Sequence, residues 1–86
     1  AEYISRIITR LKRNWNPPTG NIEGLYCRIR ITQIPGGEVV ETEIVESSGH
    51  PPFDRAVITA VNNSSPLPLP SDPTLFEGVL NFKYKP

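Results

Sequence analysis

The sequence predicts a single α+β domain with the element order α-β-β-α-β and helices packed on one face of a three-stranded antiparallel or mixed sheet. Three observations predict it. Apolar residues recur at helical spacing in two segments, two neighbouring segments alternate in polarity around a glycine turn, and a third alternating segment closes the chain. At 86 residues the chain has room for one domain, residues 1–86, with one thin core.

The first helix is predicted for residues 2 to 15. Apolar side chains spaced three or four positions apart share one helical face. They are Ile4, Ile7, Ile8, Leu11 and Trp15. Arg10, Lys12 and Arg13 suit the negative end of the helix dipole. Pro17 and Pro18 then end the helix, because proline has no amide hydrogen and its ring blocks continuation.

A β-hairpin with one solvated face is predicted next. Residues 25 to 34 and 38 to 46 alternate in polarity, and Gly36 and Gly37 supply the positive φ that the turn between them needs. In the second strand Val40, Thr42 and Ile44 are expected to share one side. The solvated side is expected to carry cross-strand charge pairs. They involve Arg28, Arg30, Glu41 and Glu43.

A second, short helix and a third strand complete the predicted fold. Pro51 and Pro52 fit a first helical turn, where a missing N–H is tolerated. The buried stripe of this helix is Phe53, Ala56, Val57, Ala60 and Val61. The run Pro-Leu-Pro-Leu-Pro at 66–70 predicts extended, polyproline-like chain that packs on the domain's own core. Residues 77 to 85 alternate again and predict the third strand.

One polar cluster raises the alternative of a hydrolytic site. Ser47, Ser48, His50 and Asp54 lie close together in the sequence. A catalytic triad needs side chains that converge across a fold beside an oxyanion hole, whereas here the histidine precedes two prolines and no G-x-S-x-G motif occurs. Turn and capping interactions explain these residues better. The sequence therefore predicts no enzyme activity and no small-molecule substrate.

Composition argues against cofactor, metal and nucleic-acid chemistry. His50 is the only histidine and Cys27 the only cysteine, so no metal-ligand motif is present. Cys27 stands in an alternating run and is expected to be a small buried side chain. Nine basic residues balance nine acidic ones, which leaves no net field to favour nucleic acid. The longest apolar run is far below the ~18 residues of a membrane span, and any anchor is expected upstream, in a longer protein.

The predicted binding site is an edge of the sheet. A crossover through the second helix places the third strand beside the first, so its other side presents unpaired N–H and C=O groups to a partner strand. A groove between the second strand and second helix, near Val45 and Val57, is the alternative. The predicted partner-binding residues are Glu77, Gly78, Val79, Leu80, Asn81, Phe82, Lys83 and Tyr84.

Several motifs occur in a distinctive order along the whole chain. They are Arg13-Asn14-Trp15, residues 24–30, residues 35–40, Ser47-Ser48-Gly49, residues 52–56 and the Pro-Leu-Pro run. This order resembles the TolA C-terminal periplasmic domain family, within the TonB/TolA C-terminal superfamily. Some members of the family carry a disulfide between the first strand and second helix. Cys27 matches one half of it, but Phe53 and Asp54 occupy the place of the other.

The resemblance implies a periplasmic protein-binding domain of the Tol-Pal envelope system, in a protein anchored in the inner membrane. Such a domain links the inner-membrane motor to TolB and Pal at the outer membrane. The implied partners are TolB, Pal indirectly, TolQ–TolR through the anchor, the filamentous phage minor coat protein and colicins. Strand addition is among the binding modes attributed to the family. The alternative is a TonB-type energy-transducing domain that binds outer-membrane transporters, although TonB usually lacks the long first helix ending in tryptophan.

Overall fold

A computed structural model describes residues 2–86. Their elements are α1 (Glu2–Arg13), β1 (Cys27–Gln33), β2 (Val39–Glu46), α2 (Pro51–Asn63), a 3-10 turn (Pro73–Leu75) and β3 (Val79–Tyr84). The predicted order α-β-β-α-β is confirmed. No helix within residues 2–86 combines the length and the apolar character that crossing a membrane requires.

The strand order of the sheet is β2-β1-β3, and both outer strands run antiparallel to β1. Helix α2 connects β2 to β3, so the chain crosses over and returns on the far side of β1. The prediction that the third strand lies beside the first is therefore confirmed, and the sheet is antiparallel rather than mixed. β3 forms one edge of this sheet and β2 the other.

The core lies between one face of the sheet and the two helices. Cys27, Ile29 and Ile31 point inward from β1 and are buried, whereas Arg28 and Arg30 between them are exposed. The inward side chains pack with residues from both helices, from β3 and from the proline-rich segment. These are Tyr3, Ile7, Leu11, Phe53, Val57, Val61, Leu67, Leu80 and Tyr84. Both helices therefore cover the same face.

The first helix differs from the predicted one at both ends. Tyr3, absent from the predicted apolar stripe, is buried, and Ile4 and Ile8 are half-buried. The helix ends at Arg13, so Trp15 lies beyond it. Trp15 still packs on the core, with its ring centroid 5.3 Å from those of both Phe53 and Tyr84. An aromatic ring of this size reaches the core from a loop as well as from a helix.

The faces of the second strand also differ from the predicted ones. The register between β1 and β2 shifts twice, which makes Val40 and Val45 the extra residues of two bulges. At the first bulge the alternation changes side, so Val39 packs against the core and Val40 is 58% exposed. The expectation that Val40 shares a side with Thr42 and Ile44 is wrong, because a bulge inserts one residue into the two-residue period.

Charge pairs cross the solvated face, as predicted, but with one different partner. Arg30 Nη1 lies 2.8 Å from Glu43 Oε1, and Arg28 Nε lies 2.8 Å from Glu46 Oε1 rather than near Glu41. The antiparallel register sets Glu41 opposite Thr32, and the second bulge sets Arg28 opposite Glu46. These pairs are solvent-exposed and contribute little to stability, on the order of 1 kcal/mol or less each.

The proline-rich segment packs against the turn of the hairpin and against α1. The Leu67 N–H donates to Gly37 O at 2.7 Å, and Arg10 Nη1 donates to Pro66 O at 2.8 Å. Leu67 is only 2% exposed. The prediction that this leucine serves the domain's own core is confirmed.

Candidate partner-binding edge

β3 pairs with β1 along one side and has no strand on its other side within residues 2–86. Its register with β1 runs without interruption from Cys27 opposite Tyr84 to Thr32 opposite Val79. A regular edge strand carries a row of backbone groups at even spacing. This is the geometry that an added strand needs.

The hydrogen bond beside the start of β3 decides which of its backbone groups are free. Gln33 N donates to Gly78 O at 2.8 Å, so these opposed residues form a hydrogen-bonded pair. Because such pairs alternate along an antiparallel ladder, the N–H and C=O groups of Val79, Asn81 and Lys83 point away from β1. These three residues form what we call the open backbone row.

Along β3, residues whose side chains face the core alternate with the residues of the open backbone row. Leu80 and Tyr84 are buried and Phe82 is half-buried against the core, which holds the strand in place. Side chains of the open backbone row are exposed on the other face. A partner strand can therefore pair with the row without disturbing the core.

The opposite edge of the sheet is less suited to strand addition. The bulges of β2 at Val40 and Val45 interrupt the spacing of its backbone groups. Bulges on edge strands hinder pairing with another chain. The alternative groove near Val45 and Val57 is not formed as expected, because Val57 is 1% exposed while Val45 lies at the surface. β3 is the better template of the two edges.

The predicted binding residues fall into two groups in the structure. Those from Val79 to Tyr84 form β3, whereas Glu77 and Gly78 precede it. The carbonyl of Gly78 is already engaged by Gln33, and Glu77 is exposed. The regular edge is therefore two residues shorter at its start than the predicted segment.

Gln33, which was not among the predicted binding residues, fixes the start of this edge. Its Nε2 donates to the Tyr3 hydroxyl at 2.9 Å and to the Glu77 carbonyl at 2.8 Å. The buried amide thus ties β1 to α1 and to the segment leading into β3. The alternation of β1 could have identified Gln33 as buried, since Gln33 lies on the same inward-facing side of the strand as Cys27, Ile29 and Ile31.

The cluster proposed as a hydrolytic alternative is a loop anchor. Asp54 accepts hydrogen bonds from the Ser47 hydroxyl, from Ser48 Oγ at 2.7 Å and from Ser48 N at 3.0 Å. A triad would instead place a histidine between the carboxylate and the serine. The carboxylate of Asp54 is occupied by the serines, so the cluster fastens the loop between β2 and α2 to the first turn of α2.

Asp54 makes this anchor dependent on pH. Partial burial acts to raise the pKa of Asp54, but the hydrogen bonds from Ser47 and Ser48, with the nearby charge of His50, outweigh it and hold the pKa below its usual 3.8. A carboxylate with a lowered folded-state pKa stabilises the fold above its unfolded pKa, and this contribution is lost as pH falls through the folded pKa.

We expect Asp54→Asn to destabilise the domain by about 1–3 kcal/mol at pH 7, as for other hydrogen bonds to a charged group. The difference should shrink when the pH is lowered to about 3, because the stabilisation by the wild-type carboxylate is lost as the pH falls towards its lowered folded-state pKa. Urea unfolding of both proteins at the two pH values checks this. An equal difference at both would contradict the anchoring role of the charge.

Cys27 is fully buried on the inner face of β1, as predicted. Burial, with a smaller contribution from the charge of Asp54, raises the pKa of its thiol to about 11. The thiol is thus both inaccessible and protonated near neutral pH. Within residues 2–86 no group of three metal-binding side chains forms around it or elsewhere.

We expect Ellman's reagent to label Cys27 slowly in the native protein and within seconds to minutes in urea. The native rate should follow the frequency of unfolding, since the reagent reaches a buried thiol only when the structure opens. Absorbance at the usual thionitrobenzoate band checks this. Immediate labelling without denaturant would contradict the inward placement of Cys27.

Comparison with known proteins places this chain in a family. The family model described as TonB C terminal matches residues 1–82. The chain belongs to the TonB C-terminal family. The resemblance seen in the sequence is thereby confirmed at the level of the superfamily.

Two further matches lie on the TolA branch of that superfamily. The Tol-Pal system protein TolA of Pseudomonas aeruginosa is 27% identical over 62 residues, which cover 72% of this chain and 18% of that protein. The solution NMR structure of TolAIII bound to a peptide derived from the N-terminus of TolB has a TM-score of 0.84 and 23% identity. The match covers 100% of this chain and 73% of that one, so the two share a fold.

Proposed function

We propose that this chain is the periplasmic protein-binding domain of a TolA protein and that it binds TolB by adding an extended segment of TolB to the open edge of β3. The observation that carries the proposal is the uninterrupted register of β3 with β1, which leaves the open backbone row free. The similarity to TolA and to a peptide-bound TolAIII supports TolB as the partner.

The proposed site comprises residues 77 to 84. Val79, Asn81 and Lys83 exchange hydrogen bonds with the added strand, and Leu80, Phe82 and Tyr84 hold β3 against the core. Glu77 and Gly78 lead into the edge. Backbone pairing supplies affinity without demanding a particular sequence from the partner.

The wider assignments follow from the TolA proposal. The domain works in the periplasm as part of an inner-membrane protein, contacts Pal through TolB, and is linked to TolQ–TolR by parts of that protein outside these residues. The filamentous phage minor coat protein and colicins use the same domain as a receptor. Since the chain spans 18% of the TolA relative, these functions need the full-length protein.

A titration of the isolated domain tests the proposal. We expect the N-terminal peptide of TolB from the same genome to bind and to slow amide exchange at Val79, Asn81 and Lys83. A peptide from an outer-membrane transporter of the same genome should not bind. Binding of the transporter peptide alone would favour a TonB-type energy transducer, and protection confined to β2 would overturn the assignment of the edge.

We also propose that the domain has no enzymatic activity. The engagement of Asp54 by Ser47 and Ser48 supports this, because the Asp54 carboxylate bonds the serines directly and does not orient His50 towards them. A screen of ester and peptide substrates should show no turnover. Turnover that is lost in His50→Ala would contradict the proposal.

A further inference from the structure

A second feature adjoins the proposed binding edge. At the end of the sheet where β3 begins, an apolar pocket of about 340 Å³ opens to the surface. Three separate segments form its walls. They contribute Pro35, Gly36, Leu69, Pro70, Pro73 and Phe76.

The walls of the pocket are held in place by local structure. Three of the six lining residues are prolines, whose backbone φ is fixed. The 3-10 turn that carries Pro73 is capped by Asp72, whose Oδ1 accepts from Thr74 N at 3.0 Å and from Thr74 Oγ1 at 2.8 Å. A preformed pocket costs little to order when a ligand binds.

The lining of the pocket selects for an uncharged, apolar occupant. No ionisable side chain lines it, so a charged group would lose its hydration there without gaining a partner. Leu69 in the wall is 47% exposed, and its exposed apolar area would be buried by an inserted side chain.

One wall of the pocket lies close to the open edge along the chain. Phe76 in its wall lies three residues before Val79, and the backbone at Phe76 is extended. At about 3.3 Å per residue, a strand added along β3 comes level with Phe76 about three residues beyond Val79. Because strand addition reads no sequence by itself, a side-chain pocket beside the edge is what supplies specificity in this mode of binding.

We propose that this pocket is the specificity site of the β3 edge, and that it takes a large apolar side chain from the partner segment about three residues beyond the part paired with Val79. The proposal rests on the proposed function, since it assumes a strand on that edge. The partner segment should therefore have an extended backbone along β3 and one large apolar side chain at the end near Glu77.

Substitutions of two exposed leucines, one in the pocket wall and one outside it, test the proposal. Leu69→Ser should weaken binding of the TolB N-terminal peptide about 10-fold, the loss expected for part of one leucine contact. Leu75→Ser is the matched control, because Leu75 is 57% exposed but does not line the pocket. It should change affinity less than about 2-fold. Equal affinities for the wild type and Leu69→Ser would overturn the proposal.

A double-mutant cycle adds a readout that a general effect on stability would not move. Replacing the apolar residue of the peptide by alanine should cost about 10-fold against the wild type and little against Leu69→Ser. Additive losses would place the anchor elsewhere. Concentration-dependent self-association that Leu69→Ser abolishes would identify a second copy as the occupant and overturn the proposal.

The same titrations separate this proposal from the one on which it rests. If Asn81→Pro abolishes binding while Leu69→Ser leaves it unchanged, the edge binds TolB and the pocket does not select it. If the wild type fails to bind the peptide, the proposed function fails, and the pocket loses its assigned partner with it.

Discussion

Asn81→Pro is expected to abolish TolB binding and leave the domain folded. Asn81 belongs to the open backbone row, so its N–H points away from β1 and is available to a partner strand. Proline removes this donor, and its ring occupies the space that the partner carbonyl needs. We expect affinity to fall at least about 30-fold, more than one lost hydrogen bond alone would cause.

The fold should tolerate proline at this position. Proline is accepted on edge strands where the N–H faces solvent. Asn81→Ala keeps the backbone donor and should change affinity less than about 3-fold. Leu80→Pro is the control of opposite phase, because it removes a ladder hydrogen bond to β1 and a buried side chain together, and it should unfold the sheet.

Calorimetric titration with the TolB peptide, after circular dichroism has shown that each variant is folded, gives the answer. Val79→Pro has the same phase as Asn81→Pro and should also block binding. If both variants fold and bind TolB and phage coat protein as the wild type does, the edge of β3 is not the site. The open face of the sheet around Val45 would then be the next surface to test.

Much of the fold follows from local patterns in the sequence. The alternation of β1 predicted every inward residue from Cys27 to Ile31, and the crossover through α2 placed β3 beside β1. The bulges of β2 could not be predicted in this way. Val39 and Val40 are chemically identical, so only the pairing with β1, packing on the core and the hydrogen bond from Val39 N to Ser65 Oγ determine which one points inward.

The candidate site was predictable in outline and not in detail. The edge follows from strand order, but the phase of its free N–H groups follows from the register of β3 with β1, which the bond between Gln33 and Gly78 reveals. The pocket beside it escaped prediction because its walls come from three segments up to 41 positions apart, from Pro35 to Phe76. No local pattern encodes such a meeting of loops.

A large loss of stability is expected from Gly37→Ala in the turn between β1 and β2. Gly37 has φ +89°, and a Cβ added there would lie 2.3 Å from the Leu67 carbonyl oxygen. That contact is with backbone, so a side-chain rotation cannot relieve it. The turn and Leu67 would have to separate, which breaks the 2.7 Å hydrogen bond from Leu67 N to Gly37 O and draws a buried leucine out of the core.

We expect this substitution to cost about 3–5 kcal/mol, from left-handed backbone strain of about 1–2 kcal/mol, a lost hydrogen bond of about 1 kcal/mol and partial loss of leucine packing. The free energy of unfolding of a small domain is only on the order of 5–15 kcal/mol.

Gly24→Ala is the matched control, because Gly24 has φ +79° with no atom within 4 Å of its added Cβ. It carries the backbone strain without the clash, so in urea unfolding the difference between the two variants measures the contact with Leu67. Equal losses would mean that the hairpin turn does not rest on the proline-rich segment.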